Sequence, residues 1–144
     1  MSGVSHVALV PRSAIFVVAF KYIFPLGSFL QSVFSNGLLP LVNSGLSSDK
    51  FIFEGFLPTK KGRKKRLEFL SNESRTIIIY ESPKRILKTL KELVLFLGKD
   101  RKVSVSRELT KIYQENTRGK IEEVISIFDK KVIKGEIVLI IDGV

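Results

Sequence analysis

Apolar positions along residues 51–144 alternate between two spacings, and the alternation predicts strands separated by helices. Residues 51–56 (FIFEGF) are short, aromatic and β-prone, which reads as a strand. Residues 61–70 (KGRKKRLEFL) place Leu67 and Leu70 three apart, on the inner face of a helix. Residues 75–81 (RTIIIYE) carry an unbroken isoleucine run, the signature of a strand covered on both faces. Ser82 and Pro83 then predict a helix start, with Ser82 as cap and Pro83 in the first turn. That helix runs to about Leu97 and stops at Gly98. Its apolar residues Ile86, Leu87, Leu90, Leu93, Val94 and Leu97 recur at three and four, as on a helix packed against a sheet.

Residues 102–109 (KVSVSREL) alternate as a strand. Residues 112–116 read as a short polar strand broken by Gly119. Residues 121–128 form a helix with Ile121, Val124, Ile125 and Phe128 inward, and residues 136–142 (EIVLIID) form a second fully apolar strand. The order β-α-β-α-β-β-α-β predicts an α/β fold, a mixed sheet with helices packed on it, with the two apolar strands at its centre.

Residues 1–48 differ in kind. They hold only two charged side chains, Arg12 and Lys21, and residues 22–48 hold none. A bilayer span needs ~20 apolar residues. Here Pro25, Gly27, Ser28, Gln31, Ser32, Ser35, Asn36 and Gly37 dilute the stretch. The dilution ranks a buried segment above a membrane span, and both above a signal peptide. Residues 14–20 (AIFVVAF) read as a buried strand or short helix, and residues 37–47 as a short helix closed by a turn at residues 43–45. The expected division is residues 1–48 and residues 49–144.

Composition narrows the chemistry. Hydrophobic residues make up 44% of the 144, enough for a packed core. The chain has no cysteine and one histidine, His6, which excludes a disulfide framework and thiolate or multi-histidine metal sites. His6 has no base–nucleophile partner in sequence and reads as a bystander. The absence of cysteine fits a reducing compartment, here the cytoplasm. Twenty-four basic against 14 acidic residues leave a net charge of +10, which favours a polyanionic partner.

Lys60, Lys61, Arg63, Lys64, Lys65 and Arg66 put six cations within seven residues, with Gly62 among them. Such density repels itself, and the dipole of a helix start opposes it further, so an anion such as phosphate stabilises it. The plain alternative is a solvated helix start. Tyr80, Glu81, Ser82 and Pro83 lie where a buried strand opens a helix, a common place for ligands in α/β folds. Ser106–Arg107–Glu108 marks another strand end, where surface pairing with Glu115 or Arg118 is the ordinary reading. There is no phosphate-binding loop signature, no G-x-G-x-x-G, no G-x-S-x-G and no H-E-x-x-H.

Four strings, FEGFLPTKKGRKKRLEFL, RTIIIYESPKRILKTL, SVSRELTKIYQENTRGKIEEVI and KGEIVLIIDG, occur in order with natural spacing. They resemble the C-terminal domain of the bacterial small-subunit (16S) ribosomal RNA cytidine 2′-O-methyltransferases, of the tetrapyrrole methylase (class III) fold. The resemblance runs through about residues 41–144. It implies methyl transfer from S-adenosylmethionine to a ribose 2′-hydroxyl of ribosomal RNA, by a homodimer of two-domain chains holding the cofactor between domains. By the same resemblance Tyr80, Glu81, Ser106, Arg107, Gly135 and Glu136 would line the C-terminal side of the cofactor cleft. Lys60–Arg66 would face RNA.

Residues 1–15 (MSGVSHVALVPRSAI) match that family's glycine-containing N-terminal segment only faintly, and residues 16–40 fit poorly. The expectation is a degenerate or truncated cofactor domain in residues 1–48, and hence a methyltransferase fragment inactive alone. A standalone basic RNA-binding module is the alternative. A small membrane-attached protein anchored by residues 14–42 is the third. Glu81, Glu108 and Lys111 are the residues offered as a general base for the ribose hydroxyl.

Overall fold

Two strands are buried on both faces, and the sheet is arranged around them. The computed structural model describes residues 37–109 and 112–144. The elements are α1 (Leu39–Ser44), β1 (Phe51–Phe56), α2 (Arg63–Ser71), β2 (Thr76–Glu81), α3 (Ile86–Leu97), β3 (Lys102–Arg107), β4 (Glu115–Lys120), α4 (Ile121–Phe128) and β5 (Ile137–Ile141). The five strands form one mixed sheet in the order β1-β2-β5-β3-β4. Only β1 and β2 are parallel; β5 runs antiparallel to both β2 and β3, and β4 antiparallel to β3. The apolar strands β2 and β5 are neighbours, with β5 in the middle, as their continuous isoleucine and valine runs require.

Alternation along the strands sorts the core into two layers. Ile77, Ile79, Val103, Val105, Ile137, Leu139 and Ile141 face Leu67 and Leu70 of α2, Ile86, Leu90 and Leu93 of α3, and Ile121, Val124 and Phe128 of α4. The opposite layer is smaller. Ile78, Val138 and Ile140 meet Leu41 of α1, with Leu38, Leu46 and Tyr80 beside them. The α1 helix ends at Gly45 in the left-handed conformation (φ 73°), the expected turn. Residues 37–48 thus pack on the sheet formed by residues 51–141. The 14–20 run, His6 and the faintly matching residues 1–15 all fall in residues 1–36, outside the described residues.

Three local expectations are corrected. The third helix begins at Ile86, not at Pro83; the Ser82 carbonyl accepts the Arg85 and Ile86 N–H groups at 3.0 Å each. Pro83 and Lys84 occupy the preceding turn, so Ser82 caps through its backbone and not its side chain. The fourth strand is Glu115–Lys120, not residues 112–116, and it runs through Gly119, which pairs with Val103. Glycine serves there because Glu123 folds back to accept the Lys120 N–H at 2.8 Å, and a Cβ at position 119 would strike that carboxylate. The strand predicted over residues 102–109 stops at Arg107, and Glu108 turns into a positive φ of 50°.

One bulge re-phases the edge strand. Phe53 pairs with Ile78 and Gly55 with Ile79, so Glu54 is extra. Gly55 has φ 71°, a conformation costly for a residue with a Cβ. Beyond the bulge Phe56 pairs with Tyr80, so Phe51, Phe53 and Phe56 share the α1 side of the sheet. Glu54 turns to Arg66, whose guanidinium it binds through both oxygens.

Gly55→Ala should cost about 1–2 kcal/mol in a urea titration, the usual penalty for left-handed backbone, because the site has room for the methyl group. At the start of β2, Glu73 is held down to about 2 by hydrogen bonds and charge from Arg75, against an ordinary 4.5. A lowered carboxyl stabilises the fold above its unfolded value and loses that contribution as pH falls through the folded value. Thermal stability should therefore decline between about pH 4.5 and pH 2. Glu73→Gln should flatten that part of the melting-temperature profile.

Candidate functional site

The antiparallel pairing of β5 against both neighbours brings three separated sequence segments to one end of the sheet. Ile137 at the start of β5 pairs with Glu81 at the end of β2 and with Arg107 at the end of β3. Val138 pairs with Tyr80 and Ser106. Tyr80, Glu81, Ser106, Arg107, Gly135 and Glu136 therefore gather within one strand end, although 56 positions separate the first from the last. Glu108 clasps this end. Its N–H donates to the Glu136 carbonyl at 2.9 Å, and its carboxylate accepts the Glu136 N–H at 2.7 Å. Gly135 (φ 90°) lets that carboxylate approach; a Cβ there would collide with it.

Side-chain direction divides the six. Glu81 and Arg107 point to the three-helix face. Glu81 is buried and takes Arg85 Nε at 2.9 Å, Thr89 Oγ1 at 2.7 Å and the Ser82 N–H at 2.7 Å. Arg107 pairs with Glu115 at 3.2 Å and donates to the Lys134 carbonyl at 3.2 Å. Glu115 also binds Lys131, and that hydrogen bond, more than Arg107, holds its carboxyl below the ordinary range against the opposing effect of burial. Tyr80 and Ser106 lie on the α1 side. Burial raises the Tyr80 phenol, and the charge of Glu136 adds to it. The Ser106 hydroxyl is buried and has no hydrogen-bond partner among the described residues. Its neighbours on that face are satisfied: Ser104 donates to Asn116 at 2.7 Å, and Asn116 and Arg118 both donate to the Asn43 carbonyl at the end of α1.

The basic cluster is divided as well. Arg63 is buried. Its guanidinium donates to the Pro58 carbonyl at 3.0 Å, Thr89 Oγ1 at 2.8 Å and Glu92 at 2.7 Å. Arg66 lies between Glu54 and the Phe69 ring, 4.6 Å from its centroid. Lys60, Lys61, Lys64 and Lys65 remain exposed, and Lys64 makes one long pair with Glu68 at 3.9 Å. Thr89 accepts from Arg63 and donates to Glu81, so one buried polar chain joins the start of the lysine helix to the end of β2.

No protein-family model matches the chain. Curated relatives do. It is 48% identical over 100 residues to the ribosomal RNA small subunit methyltransferase I of Thermotoga maritima, covering 69% of this chain and 45% of that protein. It is 47% identical over 104 residues to the protein of the same name from Synechocystis, covering 72% and 37%. The Bacillus subtilis protein of that name is 45% identical over 107 residues, covering 74% and 36%. The chain is homologous to these methyltransferases. It spans less than half the length of each of them.

Among solved structures, a cobalt precorrin-4 methyltransferase of cobalamin biosynthesis matches with a TM-score of 0.55 and 17% identity, over 77% of this chain and 48% of that one. The uroporphyrin III C-methyltransferase of Thermus thermophilus matches with a TM-score of 0.50 and 18% identity, over 71% and 46%. The chain shares the fold of the matched part of these two methyltransferases, in line with the C-terminal-domain fold that the resemblance implied.

Sequence reasoning found the strand-end residues but missed the clasp by Glu108 and the role of Thr89. Thr89 had a signal: it stands three after Ile86 and four before Leu93, on the buried stripe of α3, where a hydroxyl needs a partner. Glu81 and Glu108, two of the residues offered as general base, are both engaged in hydrogen bonds, and Lys111 lies outside the described residues. Among the described residues no cluster of three His, Asp or Glu gathers as a metal site. None of the described helices is long and apolar enough to cross a membrane.

Arg63→Met should lower stability by about 1.5–3 kcal/mol, the usual worth of hydrogen bonds to a charged group. Alanine at Lys60, Lys61 or Lys65 should stay within about 0.5 kcal/mol. Chemical denaturation of the four variants separates the structural cation from the solvated ones.

Proposed function

We propose that this chain supplies the C-terminal half of an S-adenosylmethionine-dependent ribosomal RNA ribose 2′-O-methyltransferase. On this reading it acts in the cytoplasm on the small ribosomal subunit as part of a homodimer, and it is inactive alone. Residues 1–48 are the remnant of the cofactor domain and linker. The observation that carries the reading is the strand end at which Tyr80, Ser106, Gly135 and Glu136 converge, in a chain homologous to ribosomal RNA methyltransferases.

The residues present fit one wall of a cofactor cleft. An unpartnered buried hydroxyl costs free energy until a ligand meets it, and Ser106 can donate one hydrogen bond and accept others. We assign Ser106 and Tyr80, on the α1 side, to direct contact with the cofactor. Gly135 and Glu136, clasped by Glu108, present backbone beside them. Glu81 and Arg107 hold the strand ends from the other face through bonds already made within the chain. When bound, the cofactor supplies the methyl group on its positive sulfur. Lys60, Lys61, Lys64 and Lys65 supply the phosphate contacts, with Arg63 and Arg66 fixing the helix that presents them.

Four phosphate contacts give a salt slope near −3 to −4, so RNA affinity should fall about a hundredfold between 50 and 200 mM salt. A gel shift with small-subunit ribosomal RNA measures this; binding insensitive to salt would overturn the RNA assignment. Titration calorimetry of the chain with S-adenosylmethionine should show no binding at micromolar concentration. A micromolar dissociation constant would show that the chain holds a complete cleft.

A further inference from the structure

The lysines at residues 60–65 continue an aromatic surface of which the cofactor reading uses only Tyr80. Phe51, Phe53 and Phe56 are 38%, 47% and 64% exposed on a strand of six residues. The bulge at Gly55 aligns all three on one face, and without it Phe56 would turn to the other side. Tyr80 joins the row from β2. Its ring stands edge-on to Phe53 at 5.1 Å and tilted to Phe56 at 5.5 Å. Strand β1 is the edge of the sheet, where bare apolar side chains invite aggregation. Gly37, two residues before α1, lies beside the Phe53 ring, and Phe56 is the most open of the set.

Charge decides what such a surface suits. Lys60 follows Phe56 by four residues, at most about 14 Å of chain. Lys60, Lys61, Lys64 and Lys65 are all exposed there. A second copy of a chain with net charge +10 would bring like charges together beside the aromatic row, which disfavours that pairing. A ligand with flat apolar faces and a negative backbone matches both parts. Unpaired RNA bases stack on phenylalanine and tyrosine while lysines hold the phosphates; in duplex RNA the base faces are already covered.

We propose that Phe56 and Phe53, backed by the Tyr80 ring, form a stacking platform for unpaired bases, continuous with the lysines at residues 60–65, so that this domain prefers single-stranded RNA. The proposal rests on the ribosomal RNA reading and sharpens it to a strand state. Phe56 is the outermost contact, Tyr80 supports it from behind, and the lysines supply affinity without regard to sequence.

The chain has no tryptophan, so Phe56→Trp introduces a single indole reporter at the centre of the platform. Its emission should be quenched by a single-stranded oligonucleotide from small-subunit ribosomal RNA and left unchanged by a duplex of equal phosphate count. Phe56→Ala should weaken single-stranded RNA binding roughly five- to a hundredfold, with the salt slope intact. Lys64→Ala should instead reduce the slope by about 0.7. Circular dichroism melts confirm that each surface variant is folded. If the unaltered chain binds RNA but Phe56→Ala binds equally well, the platform is refuted and the lysine assignment stands. If the unaltered chain binds no RNA at 50 mM salt, the ribosomal RNA reading fails first. Emission of the Phe56→Trp variant that shifts with protein concentration, without RNA, would mean that a second copy covers the face and would also refute the platform.

Discussion

The antiparallel contact between β2 and β5 is the constraint on which the rest of this structure depends. Both strands are apolar on both faces, so neither is stable at an edge or against water. Placing them side by side buries five registered pairs, from Ile77↔Ile141 to Glu81↔Ile137. Their direction follows from the chain. β5 enters from the end at which β2 and β3 finish, so the residues after one pair of strands meet the residues before another. The candidate site is a by-product of that direction. A parallel β5 would have left Gly135 and Glu136 at the opposite end of the sheet from Tyr80 and Ser106.

The polar chain through Thr89 answers a different problem. The helix start at Arg63 gathers positive charge against its own dipole, with no acidic residue in the first turn. Glu92 on α3 and Glu54 on β1 neutralise two of the cations, and Thr89 links Arg63 onward to buried Glu81. Every donor and acceptor named in that chain is met, which makes such a network rigid. Four lysines remain solvated, Lys60 and Lys61 before the helix and Lys64 and Lys65 in its first turn, on a segment held by the other two cations. The cluster is thus both framework and surface, and its two arginines are the framework. Arginine suits that role because its planar fork binds several acceptors at once, as Arg63 does.

Much of the fold was legible in the sequence, for a reason that varies by element. The β2 and β5 runs, the α3 stripe and the α4 stripe declare themselves because their periods are unbroken and their burial is large. The errors fall where side-chain period is weak. β4 (ENTRGK) is polar on both faces, and its extent is set by pairing with β3 and by the Glu123 cap beside Gly119. Ser82-Pro83 has the composition of a helix start, yet the turn closes on the Ser82 carbonyl and the helix begins three residues later. The residues expected by resemblance to line a cofactor cleft do share one end of the sheet, and the direction of β5 explains why.

The sequence by itself determined that residues 51–144 make an α/β sheet, which strands are central, which helix faces are inward, and that the surface is strongly basic. These follow from local period and charge, which need no knowledge of distant contacts. Tertiary structure alone decided which of the six clustered cations face solvent, which face of the sheet Glu81 and Ser106 occupy, and that three phenylalanines line up with Tyr80. The cations depend on partners 12 to 29 positions away, the strand end of Glu81 and Ser106 on pairing with β5, and the phenylalanine row on a one-residue bulge that inverts a strand's alternation. Periodicity carries no information about such pairings.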